Sequence, residues 1–442
     1  MRDSISANAI PGFFLRRAEL CTMTATTSSP SALTSTPSLD ATPRSVAPGS
    51  ERERGGVEPA AGPRPGATRE RLLALDVFRG LTVAGMLLVN NPGSWDAIYA
   101  PLEHATWNGW TPTDLIFPFF LFIVGITTHL SLDARRARGD DEAAIVRQIV
   151  RRGLLIILFG LVMAAFPFVP LTRITGIRIP GVLQRIGVAY LCGGLLTLRT
   201  SLKQQLVILV VLLFGYWFAM TLLPVPGRGM GALLLDDPSA SLAAYVDRAV
   251  FGSHLWKSSR TWDPEGLLST VPAIGTVMFG VLAGRWIATP RPLAERLTAL
   301  LSTGSLCMMV GLMWHWSFPI NKSLWTSSYV LFTAGMGAVA LATLTWLVDV
   351  LGLTWWTRPF TWFGTNPMVA FVGSGMMARL LYSVITIPYH GAQAPIQRVI
   401  FDNFFASWLE PRNASLLFAV TFVFIWAVLL GVLHQKRIFF KV

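Results

Sequence analysis

Apolar residues in this chain come in long blocks, and the polar ones are confined between them. Past residue 70, ten mostly apolar stretches recur, each close to the roughly 20 residues a helix needs to cross a bilayer core. They run approximately 75–93, 114–132, 153–170, 182–198, 205–223, 267–287, 297–315, 324–348, 359–382 and 414–433. Stretches 115–132, 206–223, 267–284 and 414–433 contain no Asp, Glu, Lys or Arg. The first carries Asp76 and Arg79, and the fourth opens with Gln184 and Arg185. The pattern predicts an all-α polytopic membrane protein, a bundle of about ten transmembrane helices. No internal repeat of the kind many transporters show is visible. Residues 71–442 form one membrane domain, with loops near 94–113, 224–266 and 383–413, the last two long enough for local structure.

Charge orients the bundle. Residues 94–112 contain no Lys or Arg, whereas the second and third spans are separated by Arg135, Arg136, Arg138, Arg147, Arg151 and Arg152. Arg199 and Lys203 follow the fourth span, and Arg285, Arg291 and Arg296 the sixth. Lys436, Arg437 and Lys441 close the chain. The positive-inside rule then puts both termini in the cytoplasm and the three loops on the far side. A net charge of +12 would suit a nucleic-acid binder. The basic residues lie between apolar segments, however, and only 14% of the chain is charged, so nucleic acid is excluded as a partner. Cys21, Cys192 and Cys307 show no metal-ligand spacing and read as incidental thiols. Residues 1–70, rich in Ser, Thr, Pro, Ala and Gly, cannot bury enough apolar surface to order themselves and are expected to be disordered.

Polar residues inside or beside spans are the candidates for chemistry. Asp76 and Arg79 share a helix face. They read as a structural ion pair, or as a guanidinium aimed at a phosphate-bearing ligand. Asn90 and Asn91 close the first span, where a turn before Pro92 explains them, and so does an amide directed at a reacting carbonyl. The segment from Glu103 to Asp114 is the richest, with His104, Trp107, Asn108 and Trp110. Asp114 reads as a helix cap. Together with His104 it also fits a base held by its orienting carboxylate. Arg178, Gln184 and Arg185, then Asp263 and Glu265, then Asn321, Lys322 and Trp325, are expected at the same membrane face. Asn366-Pro367 interrupts the ninth span.

These residues fall in ordered blocks: Leu75-Asp76-Val77-Phe78-Arg79-Gly80, His104-Ala105-Thr106-Trp107-Asn108-Gly109 followed by Asp114, Ile179 to Arg185, Asp263-Pro264-Glu265-Gly266, Asn321-Lys322 with Leu324-Trp325, and Lys436 to Lys441. In them the chain resembles the heparan-α-glucosaminide N-acetyltransferase family of transmembrane acyltransferases, from about Arg71 to Val442. A start codon placed too early is therefore one reading of the first 70 residues. The resemblance implies an enzyme that moves acetyl from cytosolic acetyl-CoA, its co-substrate, to the amino group of glucosamine or a terminal glucosaminide on the far side. It puts the active-site histidine at His104, its aspartate at Asp114 and the asparagine closing the first span at Asn90. On this reading Arg79, Asp76, Gln184, Arg185 and Asn366 meet the cofactor. Trp107, Asn108, Glu265, Asn321, Lys322 and Trp325 meet the sugar.

The expected location is a bacterial inner (plasma) membrane. The expected partners are membrane lipid and an amino sugar, with a homodimer left open. The chain departs from the animal enzymes in lacking their N-terminal lumenal domain and first span, and in carrying Gly373-Ser374-Gly375 where they have a histidine and an acidic residue. Two mechanisms stand: His104 as general base with Asn90 steadying the oxyanion, or His104 as transient acetyl carrier. The alternatives are an amino-sugar transporter and a glycan O-acetyltransferase.

Overall fold

The computed structural model describes residues 72–168 and 176–440. The expected disordered tail and Lys441 lie outside them. Thirteen helices follow one another among the described residues: α1 (Leu73–Asn90), α2 (Pro112–Ala137), α3 (Glu142–Ala165), α4 (Val182–Arg199), α5 (Leu202–Leu222), α6 (Leu242–Phe251), α7 (Leu267–Ile287), α8 (Leu293–Trp314), α9 (Ser327–Thr345), α10 (Thr357–Thr365), α11 (Pro367–Arg379), α12 (Ile396–Phe404) and α13 (Pro411–Gln435). Two short hairpins, β1 (Pro224–Val225) with β2 (Gly229–Met230) and β3 (Thr386–Tyr389) with β4 (Ala392–Pro395), lie in the two long loops. The all-α polytopic architecture is the one the apolar blocks predict.

Each of the ten apolar blocks forms a helix, and the ninth is split into α10 and α11 at Asn366. Proline at position 367 cannot donate to the helical ladder, and Asn366 is out of the helical region (φ −127°, ψ 52°), so the chain breaks there. Nine of the described helices are long and apolar enough to cross a membrane. Among the ten apolar blocks the exception is the fourth, α4, whose 18 residues include Gln184, Arg185 and Arg199. It packs between α3 and α7, so protein rather than lipid surrounds Gln184 and Arg185, while Arg199 at its end is exposed.

One boundary differs from expectation. Helix α3 begins at Glu142, because the Asp141 carboxylate accepts a hydrogen bond from the Ala144 N–H at 3.1 Å and caps the helix. Arg147, Arg151 and Arg152 therefore stand on the first turns of α3 and not in a loop.

The interior is formed by α2, α4, α7 and α9, with Leu121, Val277, Tyr329 and Val330 fully buried among them. The outer helices turn apolar side chains outward, as Leu154, Met309 and Val428 do. That is the arrangement a lipid solvent requires. Close helix approach depends on glycine. A Cβ on Gly125 would stand 2.0 Å from the Val277 carbonyl oxygen, and one on Gly280 2.0 Å from that of Phe122. Gly280→Val is expected to prise α2 from α7 and lower the melting temperature in detergent by roughly 5–10 °C, through overpacking that costs roughly 1–3 kcal/mol or more. A near-wild-type melting curve would show that the crossing is looser than this.

Candidate functional site

Helix α2 begins where the loop from α1 returns to the bundle, and its third residue is Asp114. The Asp114 Oδ2 accepts from the Thr111 N–H (3.1 Å) and the Ala105 N–H (3.0 Å) and lies 3.2 Å from the Thr111 hydroxyl, whose proton goes to the Glu103 carbonyl at 2.6 Å. This is a capping arrangement, and the positive end of the helix dipole favours a carboxylate here. The side chain is only 1% exposed, so the carboxylate is fixed from several directions. Its Oδ1 lies 2.7 Å from Nδ1 of His104, whose side chain is 50% exposed. The fold thus pairs the two residues that the sequence offers as base and orienter.

Lys322 comes from the loop between α8 and α9. Its Nζ stands 3.3 Å from Asp114 Oδ1, 3.0 Å from His104 Nδ1 and 3.4 Å from Nε2. A ring nitrogen has either a proton or a lone pair, so Nδ1 serves only one neighbour. The shorter contact, to a carboxylate, places the proton on Nδ1 and directs it to Asp114. Nε2 then keeps its lone pair. Burial lowers the Lys322 amine below the ordinary lysine value, and Asp114 and Glu265 oppose that without reversing it.

The Lys322 loop is rigid. Asn321 Oδ1 accepts from the Leu324 N–H (2.9 Å), and Thr326 Oγ1 accepts from the Asn321 N–H (3.1 Å). Trp325 has a left-handed backbone (φ 51°) and is fully buried, its indole N–H donating to Thr276 Oγ1 at 3.1 Å. It is the floor of the site and presents no surface to a bound molecule. The Arg185 guanidinium carbon lies 5.0 Å over the Trp325 ring, and the guanidinium bonds the Ser269 hydroxyl.

Around this centre the loops at this end of the bundle interlock. The Asn108 amide donates to Asp236 Oδ1 (2.6 Å) and its oxygen accepts from the Asn321 amide (3.1 Å). The Trp107 indole donates to the Leu235 carbonyl (2.8 Å). Arg178 grips Asp263 at 2.5 and 2.8 Å and also bonds Glu265. Burial alone would lower the Arg178 value, but these two carboxylates outweigh it and raise it. Nearby Asp247 caps α7 by accepting from the Leu267 N–H at 2.8 Å.

Burial pushes the Asp247 carboxyl up to about 6 from 3.8. Between those values the folded chain keeps a proton that the unfolded chain has lost. This group therefore favours folding most below pH 4, and that contribution fades as pH rises through 6, by on the order of 2–3 kcal/mol. Asp247→Asn preserves an acceptor for Leu267 and is expected to flatten the fall in melting temperature between pH 4 and 7. An unchanged slope would assign the pH dependence elsewhere.

Two cavities adjoin the site region. One, of about 540 Å³, is lined by Arg178, Gln184, Trp256, Lys257 and Arg379. The other, of about 160 Å³, is lined by Asn90, Ser374 and Gly375, and shares Met163 and Phe371 with the first. The Asn90 side chain makes no hydrogen bond to another described residue, and Ser374 and Gly375 line the same cavity. Asp76, Arg79 and Asn366 are not part of this assembly. They lie at the other end of the bundle, where Arg79 bonds Asp76 (3.3 Å) and the Gly364 carbonyl (3.0 Å). Asn366 clasps the C-terminal segment there, donating to the Ile438 carbonyl and accepting from the Phe440 N–H, each at 3.1 Å.

Sequence reasoning missed Asp236 and Asp247. Both act through partners 20 or more residues away, and nothing local marks them.

The family model described as "Heparan-alpha-glucosaminide N-acetyltransferase, catalytic" matches residues 71–320, more than half of the chain. The chain belongs to this N-acetyltransferase family. The matched region contains His104, Asp114, Arg185 and Glu265 and stops just before Lys322. The chain is 29% identical over 441 residues to the human heparan-alpha-glucosaminide N-acetyltransferase, covering 88% of itself and 62% of that protein. Against the mouse protein of the same name it is 29% identical over 430 residues, covering 85% of itself and 61% of the relative. The chain thus spans about three fifths of the length of these N-acetyltransferases, and the aligned share of it is too large to omit the Lys322 end. With nine helices fit to span a bilayer, it is an integral membrane member of the N-acetyltransferase family.

Proposed function

We propose that this protein transfers acetyl from cytosolic acetyl-CoA to the amino group of glucosamine or a terminal glucosaminide on the extracytoplasmic side of a bacterial inner membrane. The observation that carries the reading is the 2.7 Å bond between a buried, capped carboxylate and a half-exposed imidazole at one end of a membrane bundle. The basic residues crowd the opposite end, which supports cytoplasmic termini and an extracytoplasmic His104.

Acetyl-CoA approaches from the end marked by Asp76, Arg79 and Asn366, and its acetyl arm extends past Asn90. The cavities lined by Asn90, Gln184 and Arg178 supply amide and guanidinium donors suited to such an arm. His104 Nε2 takes a proton from the attacking sugar amine as the C–N bond forms. The Asn90 amide donates to the developing oxyanion. As the C–S bond breaks, the proton passes to the departing thiolate, giving coenzyme A and the acetamido sugar. Asp114 holds the Nδ1–H tautomer and stabilises the imidazolium. In the stepwise variant Nε2 itself accepts the acetyl group first. Trp107, Asn108, Glu265 and Lys322 frame the acceptor, and the fully buried Asn321 braces Asn108 and the Lys322 loop.

Lys322→Met removes the cation beside Asp114 and His104. A charge-assisted bond is worth about 1.5–3 kcal/mol, so the rate is expected to fall roughly ten- to a hundredfold with folding retained. Full activity in this variant would place Lys322 outside the machinery.

Purified protein in proteoliposomes tests the whole reading. External glucosamine and internal acetyl-CoA should yield N-acetylglucosamine and free thiol. The break at Asn366 also suits a transporter. Uptake of unmodified sugar without acetyl-CoA would establish that reading instead, and acetylation of glycan hydroxyls but not amines would establish O-acetyl transfer.

A further inference from the structure

We propose that the outer face of α3 holds an anionic phospholipid in the leaflet opposite the His104 end. The face carries a groove of about 860 Å³. At one end stand Arg147 and Arg151, one helical turn apart on α3, with Arg199 from the end of α4. All three are exposed, and none of their guanidinium groups makes a hydrogen bond or ion pair with another described residue. Their neighbours are engaged: Arg135 pairs with Asp140, Arg136 bonds the Leu198 carbonyl, and Arg152 lies over Tyr190. Glu142 is the single carboxylate lining the groove, which leaves a surplus of two positive charges.

The remaining wall is apolar. Val150, Leu154 and Leu158 continue the arginine stripe along α3, and the two leucines are 55% and 53% exposed. From Val150 to Leu158 the helix rises about 12 Å, which suits an acyl chain lying against it. Guanidinium groups bind phosphate oxygens in pairs, and at this end of α3 they reach the headgroup level. A free phosphate would leave the apolar wall uncovered, and coenzyme A would lay its polar arm along it. A lipid with an anionic head and apolar tails matches both halves of the groove. This site is separate from the acetyl-transfer centre and does not depend on the function proposed for it.

The test uses the full-length protein, stripped of lipid in neutral detergent and titrated with phosphatidylglycerol, phosphatidylcholine, inorganic phosphate or acetyl-CoA. Thermal shift and native mass spectrometry give the readouts. Each basic residue near a phosphate is worth about fivefold in affinity, so phosphatidylglycerol should be retained at least about tenfold better than phosphatidylcholine. The R147Q/R151Q/R199Q protein should lose that preference while keeping its acetyl-transfer rate. Glu142→Gln, a surface change, should sharpen the preference and decides the matter if the triple variant fails to fold. The proposal is overturned by equal retention of the two lipids, or by a preference that survives the triple substitution. It is overturned equally by a preference that Glu142→Gln leaves unchanged, or by a shift with inorganic phosphate or acetyl-CoA that the triple substitution abolishes.

Discussion

His104→Ala protein is expected to fold, insert and lose acetyl transfer by about a thousandfold or more. Half of the imidazole is open, and its hydrogen-bond partners are Asp114 and Lys322, so truncation removes little packing. Lys322 still lies 3.3 Å from Asp114 Oδ1, so the buried carboxylate keeps a counter-charge. The melting temperature should therefore move by only a few degrees. The rate should not survive, because a positioned general base contributes about 10²–10⁴ and a nucleophile more. Labelled acetyl transfer to glucosamine, measured beside a thermal melt, separates the two effects. Retained turnover would remove His104 from both versions of the mechanism, whereas equal loss of folding and activity would make the residue structural.

Removing the carboxylate is more damaging still. Asp114 receives the His104 ring and two backbone N–H groups, and faces Lys322. Asp114→Ala leaves those donors and a largely buried ammonium without an acceptor, a loss of about 3–5 kcal/mol when one member of a buried pair is deleted. It also releases the imidazole from its tautomer. Asp114→Asn separates the roles. Its amide is nearly the same size, yet one end must present N–H groups either to the Ala105 and Thr111 donors or to His104. The expected outcome is a milder fall in stability with transfer still reduced about 10²–10⁴-fold. Activity that follows stability across the two variants would refute an orienting role for Asp114.

The fold was legible because hydrocarbon imposes a coarse rule. A block of some 20 apolar residues has few alternatives to a spanning helix. Boundaries were less legible where arginines begin a helix. Arg147 and Arg151 look like loop residues by charge, but the Asp141 cap starts α3 before them, and long side chains there reach the interface. The His104–Asp114 pair was accessible because both residues sit within one short loop and its cap. The position of Lys322 against them, 218 residues from His104, depends on how α8 and α9 close on α2, and a single sequence carries no such distance. The same reason hides Asp236 behind Asn108. Trp325 illustrates the converse. An aromatic beside a polar motif reads as a sugar platform, while packing buries it completely under Arg185 and against Thr276. Asn366 also looks like a ligand amide by residue type, and in the fold it clasps the chain's own backbone at Ile438 and Phe440.

Cryo-electron microscopy of the protein with bound acetyl-CoA reads the geometry of transfer directly. The thioester carbon should lie next to His104 Nε2, at roughly 3–4 Å, with the coenzyme's phosphates at the opposite end of the bundle. Density that ends the acetyl arm far from this imidazole, or that brings the whole coenzyme in from the His104 side, would contradict the proposed route of the acetyl group.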